Sequence, residues 1–302
     1  MERIQIQAFL DIVRYGNISV AAEKNYTSQS YFSNLIKSLE AELGVSLLIR
    51  QKGKRTIELT EQGKQFFQLA EQYKTIWTDM ESIGKQNIKD HLIIGSNAAI
   101  PNLFESLFKD FLKKYPNIVL DVHIYHSREL FSRLRARSID LAFVHNIYDD
   151  PNIVVTPLFE EPMYLICNKK NNYHNDMNIF DLPHEKEIYT QWNKVYQQWH
   201  QRYFQDDNYL IRITDYDILH IFLDIEEAWT IGPLSICTFL KNQGDYDIFT
   251  IKQTPQNFKC YQLENRYPRP LHLKAIECFK KELNDYLSNE KTWFMFPLKN
   301  EN

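Results

Sequence analysis

Near residue 90 the hydrophobic pattern of this chain changes period, and that change sets its class. Before it, apolar residues recur every three to four positions, the spacing of amphipathic helices. After it, short apolar runs alternate with helical segments: LIIGS, PNLFESLFKDFLKKYP (closed by Pro116), IVLDVHIYH, RELFSRLRARS and IDLAFVHN. Strands and helices in alternation imply a parallel sheet with right-handed crossovers. The strand MYLIC then leads through polar NKKNNYHNDMN toward a second lobe. That lobe offers EIYTQW, a helix over 194–204, the strand YLIRIT, a helix over 215–228 and the strand WTIGP. FKCYQLEN carries the chain back, and LHLKAIECFKKELNDYL closes on the first lobe. Two α/β lobes joined by crossing strands leave a cleft between them.

The first 89 residues read as helices and one hairpin. Over 5–15, Ile6, Phe9, Leu10 and Val13 share a helical face, and Gly16 and Asn17 end that helix. Ser19 is the expected N-cap of the short helix VAAEKN, and Ser28 that of the next. In this third helix Phe32, Ile36, Leu39 and Leu43 form a stripe expected to be buried, with Gly44 as a left-handed C-cap. Its other side carries Gln29, Ser33 and Lys37, with Ser30 and Asn34 beside them. Two short helices, the second polar on its outer side, make a helix-turn-helix. Leu47 to Arg50 and Thr56 to Leu59 then pair around QKGKR, giving a wing with Arg50, Lys52, Lys54 and Arg55.

Thr60 caps a long helix expected to reach about Lys89. Phe66, Tyr73 and Met80 recur at sevens, and Leu69, Ile76 and Ile83 lie three further on each time. That is an a/d heptad, a seam for the same helix of a second copy. The division is therefore 1–59, 60–89 and 90–302, with lobe I at about 90–160 and 265–295 and lobe II at about 161–264. The fold class is α/β with an N-terminal all-α winged helix-turn-helix.

Charge agrees with this division. Net charge over the 302 residues is -4, yet residues 1–65 hold nine Lys/Arg against seven Asp/Glu. Positive charge is thus gathered at the helical end. The N-terminus lacks the apolar core of a signal peptide. The run Ala228 to Leu240, thirteen residues without charge, is too short to span a bilayer. A cytoplasmic location is expected. Cys167, Cys237, Cys260 and Cys278 form neither a CxxC nor a disulfide pattern and read as buried thiols.

With these residues in place, the chain resembles the LysR-type transcriptional regulators along essentially its whole length. The resemblance is carried by FLDIVRYGNISVAAEKNYTSQSYFSNLIKSLEAELGVSLLIR and IELTEQG. The family pattern falls on Ala21, Ala22, Ser28, Gln29, Ile36, Leu39, Glu40, Leu43, Gly44, Leu47, Arg50, Leu59, Thr60 and Gly63. The chain departs from it where Ser30, Tyr31, Phe32, Ser33 and Asn34 replace Pro-Ala-Val-Ser and a cation. It departs again where Glu226 and Ala228 replace a Gly-x-Gly pair. The resemblance implies a dimerising linker helix and a two-lobed effector domain like a periplasmic binding protein. It also implies a dimer or tetramer, double-stranded promoter DNA and a small-molecule effector as partners, and RNA polymerase as a further one.

At the DNA end, Gln and Asn present a donor and an acceptor together, matching the major-groove edge of adenine, and Ser serves several bases or a phosphate. Gln29, Ser30, Ser33 and Asn34 are the expected base readers; Ser28 and Lys37 are expected at phosphates. The wing is expected along a phosphate strand or in the minor groove. At the sensor end the resemblance assigns the effector loops to Ser96, Asn97, Ala98, Ala99, Ile100, Ser127, His145, Gln191, Trp192 and Thr214. His145 would meet a small carboxylate or polar effector, with Trp192 as an apolar wall. No cofactor is expected. No metal site is expected either: His123 and His126, three apart on a strand, point to opposite faces. HExxH, P-loop and nucleophile-elbow motifs are absent from the sequence. Two alternatives stay open: a redox sensor using cysteines on the same scaffold, and an α/β enzyme with an appended DNA-binding module.

Overall fold

The computed structural model describes residues 1–49, 57–83, 89–204, 208–214, 216–241, 243–289 and 296–297. The chain forms two compact units: Met1–Ile88 with Ser132–Ile139, and Lys89–Phe131 with Asp140–Asn302.

In the first unit, α1 (Arg3–Tyr15) begins two residues before the expected start, because Glu2 and Gln5 form a reciprocal capping box. Gly16 ends it in the left-handed conformation, φ 66°. The cap of α2 (Ile18–Lys24) is Asn17, not Ser19: the Asn17 side-chain Oδ1 accepts from the amides of Ser19 at 2.7 Å and Val20 at 3.2 Å. Ser19 therefore lies inside the first turn. In α3 (Gln29–Leu43), Phe32, Ile36 and Leu39 are buried against Ile6, Phe9 and Ile12 of α1 and Ala21 and Ala22 of α2. The fourth residue of the expected stripe, Leu43, is 37% exposed. The last turn offers Ser38 and Glu42 to the Gln5 side chain, at 3.0 and 3.2 Å, and leaves Leu43 outside.

Strands β1 (Leu48–Ile49) and β2 (Glu58–Leu59) pair antiparallel, Leu48 opposite Leu59, as the stem of the expected wing. Residues 50–56, which include Arg50, Lys52, Lys54 and Arg55, lie outside the described residues. The helix α4 (Glu61–Ser82) is capped by Thr60, whose Oγ1 accepts from Gly63 N at 2.8 Å and donates to Ser46 O at 2.7 Å. It ends at Ser82 rather than near Lys89, with Ile83 as its C-cap in an extended conformation. Residues 84–88 are outside the described set.

The heptad residues do not form one seam. Phe66 meets Phe9 edge-on at 5.1 Å, and Tyr73 packs on the same core, with Ala70 buried between them in sequence. Leu69, Ile76, Met80 and Ile83 are exposed, by 62, 45, 50 and 72%. One apolar face of α4 thus completes the chain's own core. A second, spaced seven, four and three residues, faces away from it.

The second unit has two lobes. Lobe I is a six-stranded sheet in the order β13-β6-β12-β5-β3-β4. Its strands are β3 (Asp90–Ser96), β4 (Ile118–Ile124), β5 (Leu141–Val144), β6 (Ile153–Glu161), β12 (Phe258–Asn265) and β13 (Phe296–Pro297). β3 is parallel to β4 and β5, as expected, but β12 is antiparallel to β5 and β6. The sheet is mixed because the two crossing strands must run out to lobe II and back. Because β12 pairs in this sheet, residues 258–264 belong with lobe I rather than with lobe II, where the sequence division puts them. The strand β6 was not legible: Pro157 interrupts it, a residue tolerated in sheets at edges and irregularities. The register shifts at that point, with Cys260 opposite Phe159 and Tyr261 opposite Pro157.

The single helix expected after β3 is two, α5 (Ile100–Leu103) and α6 (Glu105–Lys114), broken at Phe104. Phe104 is fully buried and packs edge-on against Phe143 at 5.1 Å. α11 (Leu273–Asn289) packs on β3 and α6, and α7 (Ser127–Arg135) stands between β4 and β5 in the chain order.

Lobe II contains β7 (Met163–Asn168), β8 (Ile188–Thr190), α8 (Lys194–Tyr203), β9 (Ile211–Ile213), α9 (Leu219–Leu223), β10 (Trp229–Pro233), α10 (Leu234–Lys241) and β11 (Tyr246–Phe249). β10 and β11 flank β7 antiparallel, and β8 pairs parallel with β9. α10 and β11 are additions to the sequence reading. The helix expected over 215–228 shrinks to α9 preceded by a 3-10 turn, Tyr216–Ile218. Side chains of the β7 loop pull the following segment out of helix. Asn168 Nδ2 donates to Asp224 at 2.9 Å, Tyr173 Oη donates to Glu227 O at 2.6 Å, and Glu227 N donates to Asn171 at 3.2 Å. Glu227 is left at φ 60°, so the left-handed residue falls between the two positions where glycines are missing.

Candidate nucleic-acid interface and effector loops

On α3 the buried stripe fixes which side is free. Gln29, Ser30, Asn34 and Lys37 are exposed and Ser33 is half-buried, all away from α1. Ser28 Oγ accepts from Tyr31 N at 3.2 Å and lies 3.0 Å from Ser30 Oγ. The two hydroxyls are thus engaged with each other and with the helix cap. The amide side chains of Gln29 and Asn34 carry the free donor-acceptor pairs of this face. The sequence reading missed Tyr26. It follows the Asn25 C-cap of α2 in the left-handed conformation, φ 55°, a place usually taken by Gly or Asn, and the residue is 99% exposed. The only signal for it was an aromatic residue at a tight turn.

At the C-terminal ends of β3, β4 and β5 the lobe I residues expected to meet an effector converge on Asn97. Its amide N donates to Phe143 O at 2.9 Å and its Nδ2 to Tyr125 O at 3.0 Å. Its Oδ1 accepts from Ser127 Oγ and His145 N, both at 3.0 Å. Ser96 is buried and donates to Asn97 O at 2.9 Å. Asn97 and Ser127 therefore lock three strand ends together. Ala98 is half-buried, while Ala99 packs into the lobe II cluster of Ile166, Ile188 and Leu234, and Ile100 into the lobe I core.

His145 does not face solvent as a cation. Its Nδ1 is 3.1 Å from Lys259 O, its ring lies 4.5 Å from that of Phe258, and burial lowers its pKa from 6.5 to about 4. The imidazole is neutral at pH 7, so the tautomer with Nδ1–H donating to Lys259 O fits this geometry. Nε2 is 4.0 Å from Glu161 Oε1. Glu161 has no exposed surface, and burial raises its pKa from 4.5 to about 7, against the opposing pull of Ser235, whose N donates to Oε2 at 2.7 Å.

On the lobe II side, Trp192 Nε1 donates to Ile231 O at 2.6 Å, and its ring meets Phe258 edge-on at 6.3 Å. Phe258, absent from the expected set, thus joins His145 of one lobe to Trp192 of the other. Gln191 accepts from Arg212, and Thr214 is exposed. Neither is brought to His145 by any contact among the described residues.

Three of the four thiols do not suit redox chemistry. Cys167, Cys237 and Cys260 are buried, Cys278 is half-buried, and none is in a disulfide. Burial pushes the Cys167 thiol up to about 12 and those of Cys237 and Cys260 well above their ordinary value. The reactive species is the thiolate, so these three are poor sensors.

Residues 4–64 match the bacterial regulatory helix-turn-helix protein, lysR family, and residues 85–220 match the LysR substrate binding domain. The chain belongs to the LysR family. Among curated relatives, this LysR-type chain is 30% identical over 170 residues to the HTH-type transcriptional regulator SoxR of Arthrobacter sp. (strain TE1826), covering 56% of this chain and 58% of that one. It is 27% identical over 203 residues to YtlI of Bacillus subtilis, covering 64% of each. The matches thus span less than two thirds of those relatives' lengths. The crystal structure of CbnR, a LysR family transcriptional regulator, superposes with a TM-score of 0.69 at 18% identity, over 94% of this chain and 99% of that one. Full-length OxyR from Pseudomonas aeruginosa gives 0.65 at 17%, over 94% and 95%. At those identities the likeness is one of fold. Among the described residues of this LysR-type chain, no helix is long and apolar enough to cross a membrane.

Proposed function

We propose that this chain is a sequence-specific, DNA-binding transcriptional regulator, acting in the cytoplasm as a homodimer or tetramer without catalysis. A small molecule held between the two lobes would set its output. The observation that carries this reading is the amide-rich, exposed side of α3, backed by a buried stripe and capped at Ser28. Such a helix presents its N-terminal residues to base edges in the major groove. The exposed row Leu69, Ile76, Met80 and Ile83 supports self-association, since an apolar stripe of this length on a helix needs a partner. Effector binding would shift the population between two lobe arrangements and so the spacing of the two DNA-reading helices, with RNA polymerase as the downstream partner.

The effector is proposed as a small polar molecule with an apolar part, resting against Trp192 and Phe258. A neutral His145 can donate or accept but cannot neutralise a carboxylate. A carboxylate effector would instead need a cation such as the exposed Arg212 beside Gln191. The raised pKa values of Cys167, Cys237 and Cys260 disfavour redox sensing through these thiols as the second reading.

Selection from a random duplex pool with the full chain tests the proposal. The expected product is an enriched, interrupted palindrome with half-sites a helical turn or a multiple of it apart. A pool that stays random after repeated rounds would count against sequence-specific binding.

A further inference from the structure

Away from these surfaces, lobe II brings His200 together with two groups three residues apart in sequence, His184 and Glu187. His184 sits in the 3-10 turn His184–Lys186, Glu187 just before β8, and His200 in the second turn of α8. Glu187 has no exposed surface, and the two imidazole side chains are 15 and 6% exposed. One nitrogen from each imidazole and a carboxylate oxygen lie within 4.8 Å of one another. His184 Nε2 is 3.1 Å and His200 Nε2 2.9 Å from the same oxygen, Glu187 Oε2.

Those separations approach what a tetrahedral ion requires. Ligands about 2.05 Å from zinc are about 3.3 Å apart along each edge. Opening the two His–Glu pairs by a few tenths of an ångström would bring them to that edge length. The three side chains are also held in place. Glu187 N donates to His184 O at 2.9 Å, and Glu187 O accepts from Leu210 N at 2.9 Å. The His184 ring stacks on Phe204 at 4.2 Å, and the His200 ring lies 4.2 Å from that of Tyr189. One turn before His200, the Tyr196 hydroxyl is buried without a hydrogen-bond partner among the described residues. Its ring lies 6.2 Å from that of His200, and a buried oxygen without a partner can take up a water bound to an ion.

We propose that His184, Glu187 and His200 bind one divalent transition-metal ion of the zinc class, with water in the fourth position. Two imidazoles and one carboxylate suit zinc, cobalt or nickel, whereas magnesium and calcium favour all-oxygen shells. All three ligands belong to lobe II. The ion would tie the 3-10 turn, β8 and α8 into one rigid body, on the opposite sheet face from the Ile166, Ile188 and Leu234 cluster.

The test uses tag-free, full-length protein stripped with EDTA and titrated with cobalt(II), then zinc. The expected result is one equivalent of cobalt with visible ligand-field bands and no thiolate charge-transfer band, displaced by zinc. Zinc should raise the melting temperature, and chelator should reverse the rise. In His184→Ala and His200→Gln, affinity should fall by more than about tenfold. No binding at micromolar ion, or equal affinity in both variants, would overturn the site and leave a hydrogen-bonded His–Glu–His cluster. If either variant fails to fold, an unchanged melting temperature of the parent chain with zinc overturns it equally.

Discussion

Replacing Gly63 with alanine should destabilise the winged unit by about 3 kcal/mol or more, the sum of an overpacking cost and a damaged helix cap. A Cβ at this position would stand 2.1 Å from Leu47 O and 3.2 Å from Thr60 Oγ1. Leu47 O is not a yielding neighbour. It accepts from Thr60 N at 3.0 Å, and Thr60 Oγ1 caps α4 through Gly63 N. The backbone of β1's approach and the first turn of α4 would have to separate. Gly44→Ala is the control. Its Cβ meets nothing within 4 Å, so only the left-handed φ of 68° is strained, at about 1 kcal/mol. Urea denaturation of both variants decides the matter. A loss at Gly63 no greater than that at Gly44 would mean that the close approach is not what requires glycine there.

Glu161→Gln should make the chain more stable at pH 8 and barely change it at pH 4. In the native chain burial lifts the Glu161 pKa from 4.5 to about 7. Between those values the folded chain holds a proton that the unfolded chain has released, so stability falls as pH rises. The full interval corresponds to about 3 kcal/mol, reached above pH 7. His145 works in the opposite sense. With its pKa lowered from 6.5 to about 4, its contribution is present above pH 6.5 and lost as pH falls toward 4. In the parent chain the two slopes oppose each other between pH 4.5 and 6.5. Glutamine keeps an oxygen for Ser235 N and removes the acid's limb, so the variant should keep the histidine's slope and lose the acid's. Denaturation midpoints measured from pH 4 to 8 test this. A difference between parent and variant that is constant with pH would contradict it.

The helical end was the more legible part of the chain because its rules are local. The i, i+4 and i+3 steps of Phe32, Ile36 and Leu39, the Ser28 cap and the Gly44 terminus all lie within one helix. The seam on α4 was read correctly as apolar. Its division between the chain's own core and an exposed row depends on α1, which no heptad count contains. In the lobes, what was missed is long-range. The antiparallel β6 and β12 are set by the return path of the chain, and Pro157 hid a strand whose irregularity accommodates it. The short α9 is decided by Asn168, Asn171 and Tyr173, more than forty residues upstream in sequence. The same limit applies to the sites. His145 occupies the strand end expected of it, but its neutrality comes from burial, against the opposing hydrogen bond to Lys259 O, and the groups that bury it converge only in the fold. The cluster of His184, Glu187 and His200 leaves a trace in the spacing of HEKE, yet His200 joins it only through α8.

The central claim is that α3 reads base edges, and binding by single variants to a selected duplex and to a random duplex tests it most directly. Asn34→Ala should weaken binding to the selected duplex by about 1–3 kcal/mol and leave the random duplex nearly unaffected. Lys37→Ala should weaken both alike and lower the salt slope by about one. Equal losses on the two duplexes for Asn34→Ala would contradict the account.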